Sequence, residues 1–283
     1  MKTRISGQRA SFSLLSSGVK WKPSGLPQLQ LNLMANKVSI TISSHNINGF
    51  KEDYVHSRCN SNLNSIHCIQ EHWLRPAHKK IRGVNQLRVV HPAFDGYGVS
   101  AMKKVHTSGV YRGRGFGGTG FVFNKSFAPF FRPDLRYESE RVSVMEVSDR
   151  GGSILIINVY CPFKQPGDEH RVNYLETLGF IENILSSNPS SRFIVLGDLN
   201  YNIYDVRQPM SMAINELFTK YDLFCTHELD DNFTRHSSCT HAAVGRITLI
   251  HYLIIFSSAD HCEIVSRNVG FSMTAATPRT TSQ

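Results

Sequence analysis

The sequence contains no run of hydrophobic residues long enough to cross a membrane. A membrane-spanning helix needs about 18 or more consecutive apolar residues, whereas the segment LIHYLIIF at 249–256 has only the length of a β-strand. The six cysteines form no C-x-x-C pair, so the sequence gives no sign of a zinc module or a redox motif. We therefore expect an intracellular protein, nuclear or cytoplasmic, with reduced thiols and no membrane partner.

Acidic residues are missing from the first 51 positions, which carry seven lysines or arginines. The first 37 residues are also rich in serine and have no periodic apolar pattern, so we expect a disordered basic leader at 1–37. A mitochondrial transit peptide has the same composition and is the less favoured alternative. The rest is expected to form one domain at 38–270, truncated at its C-terminus, and a frayed tail at 271–283.

The net charge of +9 is distributed unevenly along the chain. Residues 75–125 carry ten lysines or arginines and only Asp95 as an acid, whereas residues 126–283 carry thirteen basic and eighteen acidic residues. This zoning favours a polyanion such as nucleic acid, bound beside a site whose own carboxylates hold a positive group. A basic tail and one solvated loop would give the same counts, so the charge alone does not distinguish the two interpretations.

Hydrophobic patterning from residue 38 onward predicts many strands with helices between them. Strands are predicted at 38–43, 65–70, 118–123, 141–147, 153–160, 192–200 and 247–256. A second helix is predicted within 208–223, after a first at 168–187 whose apolar face comprises Val172, Leu175, Leu178, Ile181 and Leu185. Because hairpin pairs occur among the strands, we expect a layered α/β or α+β domain and not a strictly parallel sheet.

Polar side chains follow four of the predicted strands at the point where each strand ends. They are Asn46 and Asn48, Glu71, Tyr160, and Asp198 with Asn200. Each one alone has an ordinary structural explanation as a turn residue, a cap or a core aromatic ring. Four such endings together predict that the strand ends meet at one polar pocket at the edge of the core.

Four short motifs give the chain a resemblance to a known protein family. HNING, CIQEHWL, NVYCP and LGDLN, in this order and spacing, resemble the endonuclease/exonuclease/phosphatase superfamily, and most closely the endonuclease domain of LINE-type (non-LTR) retrotransposon polyproteins. The resemblance covers residues from about 38 to about 256. It implies a DNase I-like fold, which is a four-layered α/β sandwich of two packed mixed β-sheets with helices on the outside. It also implies a hydrolase that cleaves phosphodiester bonds of DNA with Mg²⁺, or with Mn²⁺ in its place.

The resemblance implies a metal site among these strand endings. Glu71 would be the main metal ligand, with an amide oxygen of Asn48 or Asn46 beside it. This role agrees with the chemistry of Mg²⁺, which binds oxygen ligands and keeps several waters, so that one or two protein oxygens suffice.

The resemblance also implies the catalytic roles of the remaining polar residues. Asp198 would act as a base for the attacking water or orient it, Asn200 would donate a hydrogen bond to a phosphate oxygen, and Tyr160 would contact the phosphate or the leaving group. Phosphoryl transfer needs an aligned water and neutralised phosphate charge, so these side chains are of suitable types.

A glycine-rich segment, RGRGFGGTG at 112–120, contains the spacing G-x-G-x-x-G. A dinucleotide-binding site needs a helix after this motif, but the residues FVF that follow favour a strand, which argues against that function. The resemblance instead implies a loop in which Arg112 and Arg114 contact nucleic-acid phosphates.

The C-terminal part of the sequence departs from the family pattern. His251 occupies the position where the family has an aspartate, and the pair Asp260 and His261 follows too soon to match the family's final Ser-Asp-His. A strand rising about 3.3 Å per residue would carry Asp260 roughly 20 Å from the pocket end of that strand. We therefore expect weakened catalysis. The alternative is a degenerate nucleic-acid-binding domain without turnover; a phosphatase of phosphoinositides or lipids is less favoured, and a monomer is assumed.

Overall fold

The fold of the 283-residue chain is described from a computed structural model. The described residues are 28–33, 38–51, 59, 65–74, 92–102, 115–149, 152–225, 241–243, 246–248 and 251–257. They form two β-sheets, a short two-stranded ribbon and two α-helices.

The first sheet has five strands. They are β1 Gln28–Leu33, β2 Val38–Asn46, β3 Ser65–Gln70, β4 Phe94–Val99 and β5 Thr119–Asn124. Their order in the sheet is β1-β2-β3-β5-β4. β2 and β3 run parallel, whereas the other neighbours are antiparallel. The polar residues that end β2 and β3 therefore emerge at the same edge of the sheet.

Eight further strands follow in the chain. They are β6 Phe131–Pro133, β7 Val142–Asp149, β8 Gly152–Tyr160, β9 Arg192–Asp198, β10 Leu223–Cys225, β11 His241–Ala243, β12 Arg246–Thr248 and β13 His251–Ser257. Six of them form the second sheet in the order β10-β13-β9-β8-β7-β6, and β11 pairs with β12. Within the second sheet only β8 and β9 run parallel, so their ends also meet at one edge.

The two sheets pack face to face through alternate residues of their strands. The first sheet contributes Ile40, Ile42, Ile66, Cys68 and Phe121, and the second contributes Met145, Ile154, Ile156, Ile194 and Leu196. Alternation places every second side chain of a strand on the same face, which is why these positions form one continuous apolar layer.

Two α-helices, α1 Asp168–Ser187 and α2 Pro209–Lys220, cover the outer face of the second sheet. The residue range of α1 is the predicted one, but its buried face differs. Val172 and Leu175 were predicted to be buried and are 53% and 40% exposed. Tyr174 is buried instead, because its hydroxyl donates to the carbonyl of Leu199 at 2.7 Å and its ring packs edge-on against Tyr201.

The outer face of the first sheet carries a smaller buried cluster. Its members are Cys59, Ile69, Phe94 and Val122. Among the described residues, no α-helix packs on this side. Two packed mixed sheets with helices outside confirm the predicted α/β sandwich, and in the described part of the chain no helix is long and apolar enough to cross a membrane.

Two boundaries differ from the predicted ones. β1 pairs along its whole length with β2 and lies within the range that was predicted to be a leader, so the first sheet begins ahead of position 38. The alternating segment QLQLNL at 28–33 is a strand pattern. The single strand predicted at 247–256 is divided, since β12 ends at Thr248 and β13 begins at His251. Residues 258–283 lie outside the described part.

Candidate active site

Strand ends from both sheets bring polar side chains together, as the sequence predicted. On the inner faces, the apolar positions are followed by Asn46 on β2, Tyr160 on β8 and Asp198 on β9. Asn46 and Asp198 are 152 positions apart in the chain, and their side chains are hydrogen-bonded. One polar pocket therefore lies at the edge where the two parallel strand pairs end.

Glu71 reaches this pocket because the chain turns after β3. Gln70 occupies the inner face, so a regular strand would direct the next side chain to the opposite face. Glu71 instead has a φ of +54°, which is uncommon for any residue other than glycine, and its carboxylate contacts Asn46. Positive φ values are shared by three further residues around the pocket: Asn48, Trp73 and Asn200. Such backbone strain clusters at functional sites.

One amide group joins two carboxylates in the pocket. Nδ2 of Asn46 donates to Oε1 of Glu71 at 2.8 Å and to Oδ2 of Asp198 at 3.0 Å. Asp198 is only 1% exposed, and Glu71 is half-buried. Two negative groups that meet at one nitrogen repel each other in a partly buried pocket, and a bound cation would relieve that repulsion.

Glu71 accepts two more hydrogen bonds from neutral donors. The hydroxyl of Tyr160 donates to Oε1 at 2.8 Å, and Nε1 of Trp73 donates to Oε2 at 3.2 Å. Burial, together with the negative charge of Glu71, raises the pKa of Tyr160 well above its ordinary value, so the phenol remains a proton donor. The salt bridges among the described residues do not include Glu71. Its charge is thus met by neutral groups, which leaves a role for a cation.

Asp198 is fixed by hydrogen bonds from the backbone and from Asn46. The backbone N–H of Asn200 donates to Oδ1 of Asp198 at 3.0 Å, so both carboxylate oxygens accept a bond. Nδ2 of Asn200 donates to the carbonyl of Cys161 at 2.7 Å. An amide nitrogen carries two hydrogens, so this bond uses only one of the two donors of Asn200.

The two predicted amide ligands differ in their positions. Asn48 is exposed, and its backbone N–H donates to Oδ1 of Asn46 at 3.2 Å. The side chain that contacts Glu71 is that of Asn46. Asn46 therefore lies nearer to Glu71, but it turns its amide nitrogen to the carboxylate, while its Oδ1 accepts the N–H of Asn48.

Other predicted features lie at the limits of the described part. His251 begins β13 and is the backbone partner of Asp198 in β9, so it lies at the pocket end of that strand. β13 then runs antiparallel to β9 and ends at Ser257, away from the pocket. The remaining predicted residues lie outside the described part of the chain: Arg112, Arg114, Asp260 and His261.

The glycine-rich segment packs beside the pocket. The backbone N–H of Trp73 donates to the carbonyl of Gly117 at 3.0 Å, and a Cβ atom added to Gly115 would lie 2.3 Å from the carbonyl oxygen of Trp73. Glycine is needed there for this close approach. Trp73 was not predicted as a site residue, and only its place two positions after Glu71 could have indicated it.

The ligand types in the pocket suit a hard divalent cation. Glu71 and Asp198 offer carboxylate oxygens, and the amide oxygen of Asn46, which accepts the N–H of Asn48, lies on the same side chain that contacts both. Mg²⁺ is held by one or two carboxylates together with waters and substrate phosphates, and Mn²⁺ accepts the same ligands. The described residues contain no group of three or more His, Cys, Asp or Glu side chains that could hold a metal ion. Oxygen ligands of this kind suit Mg²⁺ or Mn²⁺, whereas zinc sites in proteins are built mainly from Cys and His side chains.

Comparison with known proteins found similarity to solved structures alone. No family model matches the chain, and no curated protein sequence matches it. An AP endonuclease from Archaeoglobus fulgidus has a TM-score of 0.49 and 12% identity, and the match covers 77% of this chain and 86% of that one.

Two further solved structures are similar to the same extent. The 3′ phosphatase NExo from Neisseria, bound to a product DNA hairpin, has a TM-score of 0.48 and 13% identity over 75% of this chain and 85% of that one. The endonuclease domain of TRAS1, a telomere-specific non-LTR retrotransposon, has a TM-score of 0.48 and 12% identity over 76% of this chain and 82% of that one.

Proposed function

We propose that this chain is a retroelement-type endonuclease that hydrolyses phosphodiester bonds of DNA with Mg²⁺ as its cofactor. The observation that carries the proposal is the Asn46 amide that joins Glu71 and Asp198, with the Tyr160 hydroxyl on the same oxygen of Glu71. Phosphoryl transfer requires a cation site, an oriented water and donors for the phosphate oxygens. This pocket offers residues for all three.

The cation would be held by Glu71, and Asn46 would join it as a ligand by turning its amide oxygen, in place of its nitrogen, toward the cation. Mg²⁺, when bound, would neutralise negative charge on the phosphate. The neutral hydrogen bonds from Tyr160 and Trp73 keep the Glu71 carboxylate oriented without removing its charge. A cation can therefore bind a carboxylate that is already in place.

The remaining residues would act on water and phosphate. Asp198, whose carboxylate is fixed by two N–H donors, would orient the attacking water and accept its proton. The second amide hydrogen of Asn200 would donate to a phosphate oxygen. Tyr160 stays protonated, and by turning its single hydroxyl hydrogen from Glu71 it would donate to the phosphate or to the leaving oxygen.

DNA is the proposed substrate because of the distribution of charge. Residues 1–51 and 75–125 are strongly basic in sequence, and an excess of positive charge attracts a polyanion. We propose that Arg112 and Arg114 contact DNA phosphates, since the glycines that follow them pack against Trp73 at the pocket.

Nicking of supercoiled plasmid DNA by the purified chain tests the proposal. With Mg²⁺ we expect open-circular product, and with EDTA none. Glu71→Gln and Asp198→Asn each remove a charge at almost unchanged shape, and each should lower the rate about a hundredfold or more. Glu182→Gln is the matched control, because it removes an exposed carboxylate that pairs with Lys220 on the outer helices, and it should nick at the wild-type rate. Equal nicking by all three variants would refute the proposal.

A nucleic-acid-binding domain without turnover is the second candidate. It is favoured by His251, which is the backbone partner of Asp198. His251 occupies the position where the family that the sequence resembles has an aspartate. This candidate predicts binding of plasmid DNA that weakens with salt, is unchanged by Asp198→Asn, and is not accompanied by nicking above the rate of that variant. A gel-shift titration beside the nicking assay separates the two candidates.

A further inference from the structure

A layer of buried polar side chains lies between the apolar core and the pocket. On the inner faces of β2, β3 and β8, the residues Ser44, Gln70 and Asn158 follow the apolar positions and precede the pocket residues. All three are 0% exposed. The proposed function assigns them no role.

Two members of this layer connect the sheets to each other. Nε2 of Gln70 donates to Oδ1 of Asn158 at 2.6 Å, which joins β3 of the first sheet to β8 of the second. Nδ2 of Asn158 donates back to the carbonyls of Ile69 at 3.1 Å and Gly120 at 2.8 Å, both in the first sheet. Nε2 of Gln70 also donates to Oγ of Ser44 at 3.1 Å. The pair thus ties one strand of the second sheet to two strands of the first.

The hydrogen bond between Gln70 and Asn158 lies close in sequence and in strand register to the pocket residues. Gln70 immediately precedes Glu71, and Asn158 lies two positions before Tyr160 on the same face of β8. Asn158 is also the register partner of Leu196, which lies two positions before Asp198 on β9. Gln70 and Asn158 thus join the two sheets within two positions, along each strand, of Glu71 on one side and of Tyr160 and Asp198 on the other.

Stability alone does not account for a buried amide pair at this place. Replacing both partners of a buried hydrogen bond by apolar groups of the same shape can be nearly neutral for stability. A satisfied polar network differs from an apolar contact because it specifies distance and direction. Residues that orient metal ligands from behind usually change metal affinity or activity by about 10- to 100-fold when they are removed.

We propose that Gln70 and Asn158 are positioning residues that set the separation of Glu71 from Tyr160 and Asp198. The catalytic consequence rests on the proposed function. The structural consequence, a Glu71 carboxylate fixed against Trp73, is independent of metal and DNA and can be measured without either.

The fluorescence of Trp73 measures the position of Glu71, because the indole N–H donates to Oε2 of Glu71. The chain has two tryptophans, so Trp21→Phe leaves Trp73 as the sole emitter. In this background and in EDTA, we expect Gln70→Met to shift the emission maximum and to raise acrylamide quenching. Glu71→Gln, which weakens the contact directly, calibrates the size of the change. Gln70→Met should give at least half of that change.

Ser43→Ala is the matched control for general loosening of the same sheet. Ser43 is also buried, and its hydroxyl contacts Nδ1 of His67 at 2.8 Å on the face that points away from the second sheet. We expect Ser43→Ala to keep the Trp73 emission of the Trp21→Phe parent, even where it lowers the melting temperature as much as Gln70→Met does. If Gln70→Met and Ser43→Ala change the emission alike, or neither changes it, the proposal is overturned. Asn158→Ser removes the acceptor from the other side and replaces Gln70→Met if that variant does not fold.

Binding of Mn²⁺ alone and plasmid nicking extend the test to function. We expect Gln70→Met to raise the dissociation constant for Mn²⁺, followed by electron paramagnetic resonance, about 10-fold or more, and to lower kcat with little change in KM. A wild-type chain that binds Mn²⁺ but does not nick DNA would refute the proposed function, while the Trp73 shift would still support the positioning role. Unchanged Trp73 emission in Gln70→Met overturns that role even if the wild type nicks DNA.

Discussion

The hydroxyl of Tyr160 links β8 to the carboxylate of Glu71, and its removal should cost activity more than stability. Tyr160→Phe keeps the ring, which is 8% exposed, and removes one hydrogen bond to a charged group. A hydrogen bond to a charged group is worth about 1.5–3 kcal/mol, so if the hydroxyl donates to the phosphate or the leaving oxygen only in the transition state, its loss should lower kcat about tenfold to a hundredfold. Steady-state nicking kinetics, with melting temperature as the control for folding, give this comparison.

The pH dependence of nicking provides a separate check on Tyr160. Burial and the charge of Glu71 raise its pKa above the ordinary range, so the phenol should stay protonated through neutral and mildly alkaline pH. We expect the nicking rates of the wild type and of Tyr160→Phe to depend on pH in the same way from pH 7.5 to 9.5. A decline in that range that is absent from Tyr160→Phe would show an ionising phenol and contradict the assigned donor role.

Single residues of the pocket were predictable from sequence where strand alternation holds. Asn46, Tyr160 and Asp198 continue the inner-face positions of their strands, so their convergence follows from the period of two. Glu71 follows Gln70, and alternation alone would direct it to the other face; its positive φ is not encoded in a local pattern. Its role came from the resemblance. The amide pair of Gln70 and Asn158 was missed because both lie just ahead of the residues singled out in the same motifs, Glu71 and Tyr160.

At the scale of secondary-structure elements, Gly197 decides whether β8 and β9 can pair beside the pocket. It has a φ of +136°, and an added Cβ atom would lie 1.9 Å from the backbone carbonyl oxygen of Val159 in the neighbouring strand. Backbone cannot move aside as a flexible side chain can, so we expect Gly197→Ala to lower the free energy of unfolding by more than about 3 kcal/mol. Urea unfolding followed by circular dichroism measures it.

Replacing Gly179 by alanine should raise stability, in contrast to the same replacement at Gly197. It lies within α1, and nothing would lie within 4 Å of an added Cβ atom. Alanine restricts the unfolded chain and favours the helix, so Gly179→Ala should raise the free energy of unfolding by about 0.5–1 kcal/mol. If both variants raised stability, the contacts assigned to Gly197 would be wrong, and if both lowered it, the open space assigned to Gly179 would be wrong.

Elements were predictable to different extents for identifiable reasons. The range of α1 followed from its apolar spacing, but its buried face is set by Tyr174, which a count of aliphatic residues passes over. β1 was assigned to the leader because the serine-rich composition of its surroundings outweighed its own alternation. The order of strands within the sheets depends on long-range pairing, which local pattern does not specify.

For the whole molecule, the buried histidine His67 should make stability depend on mildly acidic pH. Its ring nitrogens contact Oγ of Ser43 at 2.8 Å and Oγ of Ser65 at 2.7 Å, and the side chain is 4% exposed. Burial, with a smaller effect of His45, lowers the pKa of His67 to about 4 from an ordinary 6.5. The unfolded chain therefore binds a proton between these values that the folded chain does not, so stability falls as pH drops from about 6.5 toward 4.

The contribution of His67 can be separated from that of the carboxylates by comparing two variants. A shift of this size corresponds to a loss on the order of 3 kcal/mol between pH 7 and 4. His67→Gln replaces the titrating ring with a neutral amide, so urea midpoints measured from pH 7 to 4.5 should fall less steeply than in the wild type. Ser43→Ala loses a hydrogen bond to the same ring but keeps the ring itself, so its midpoints should be lower throughout and parallel to the wild type. Parallel curves for His67→Gln and the wild type would mean that the folded chain takes up the proton without cost, and that His67 is not held neutral by burial.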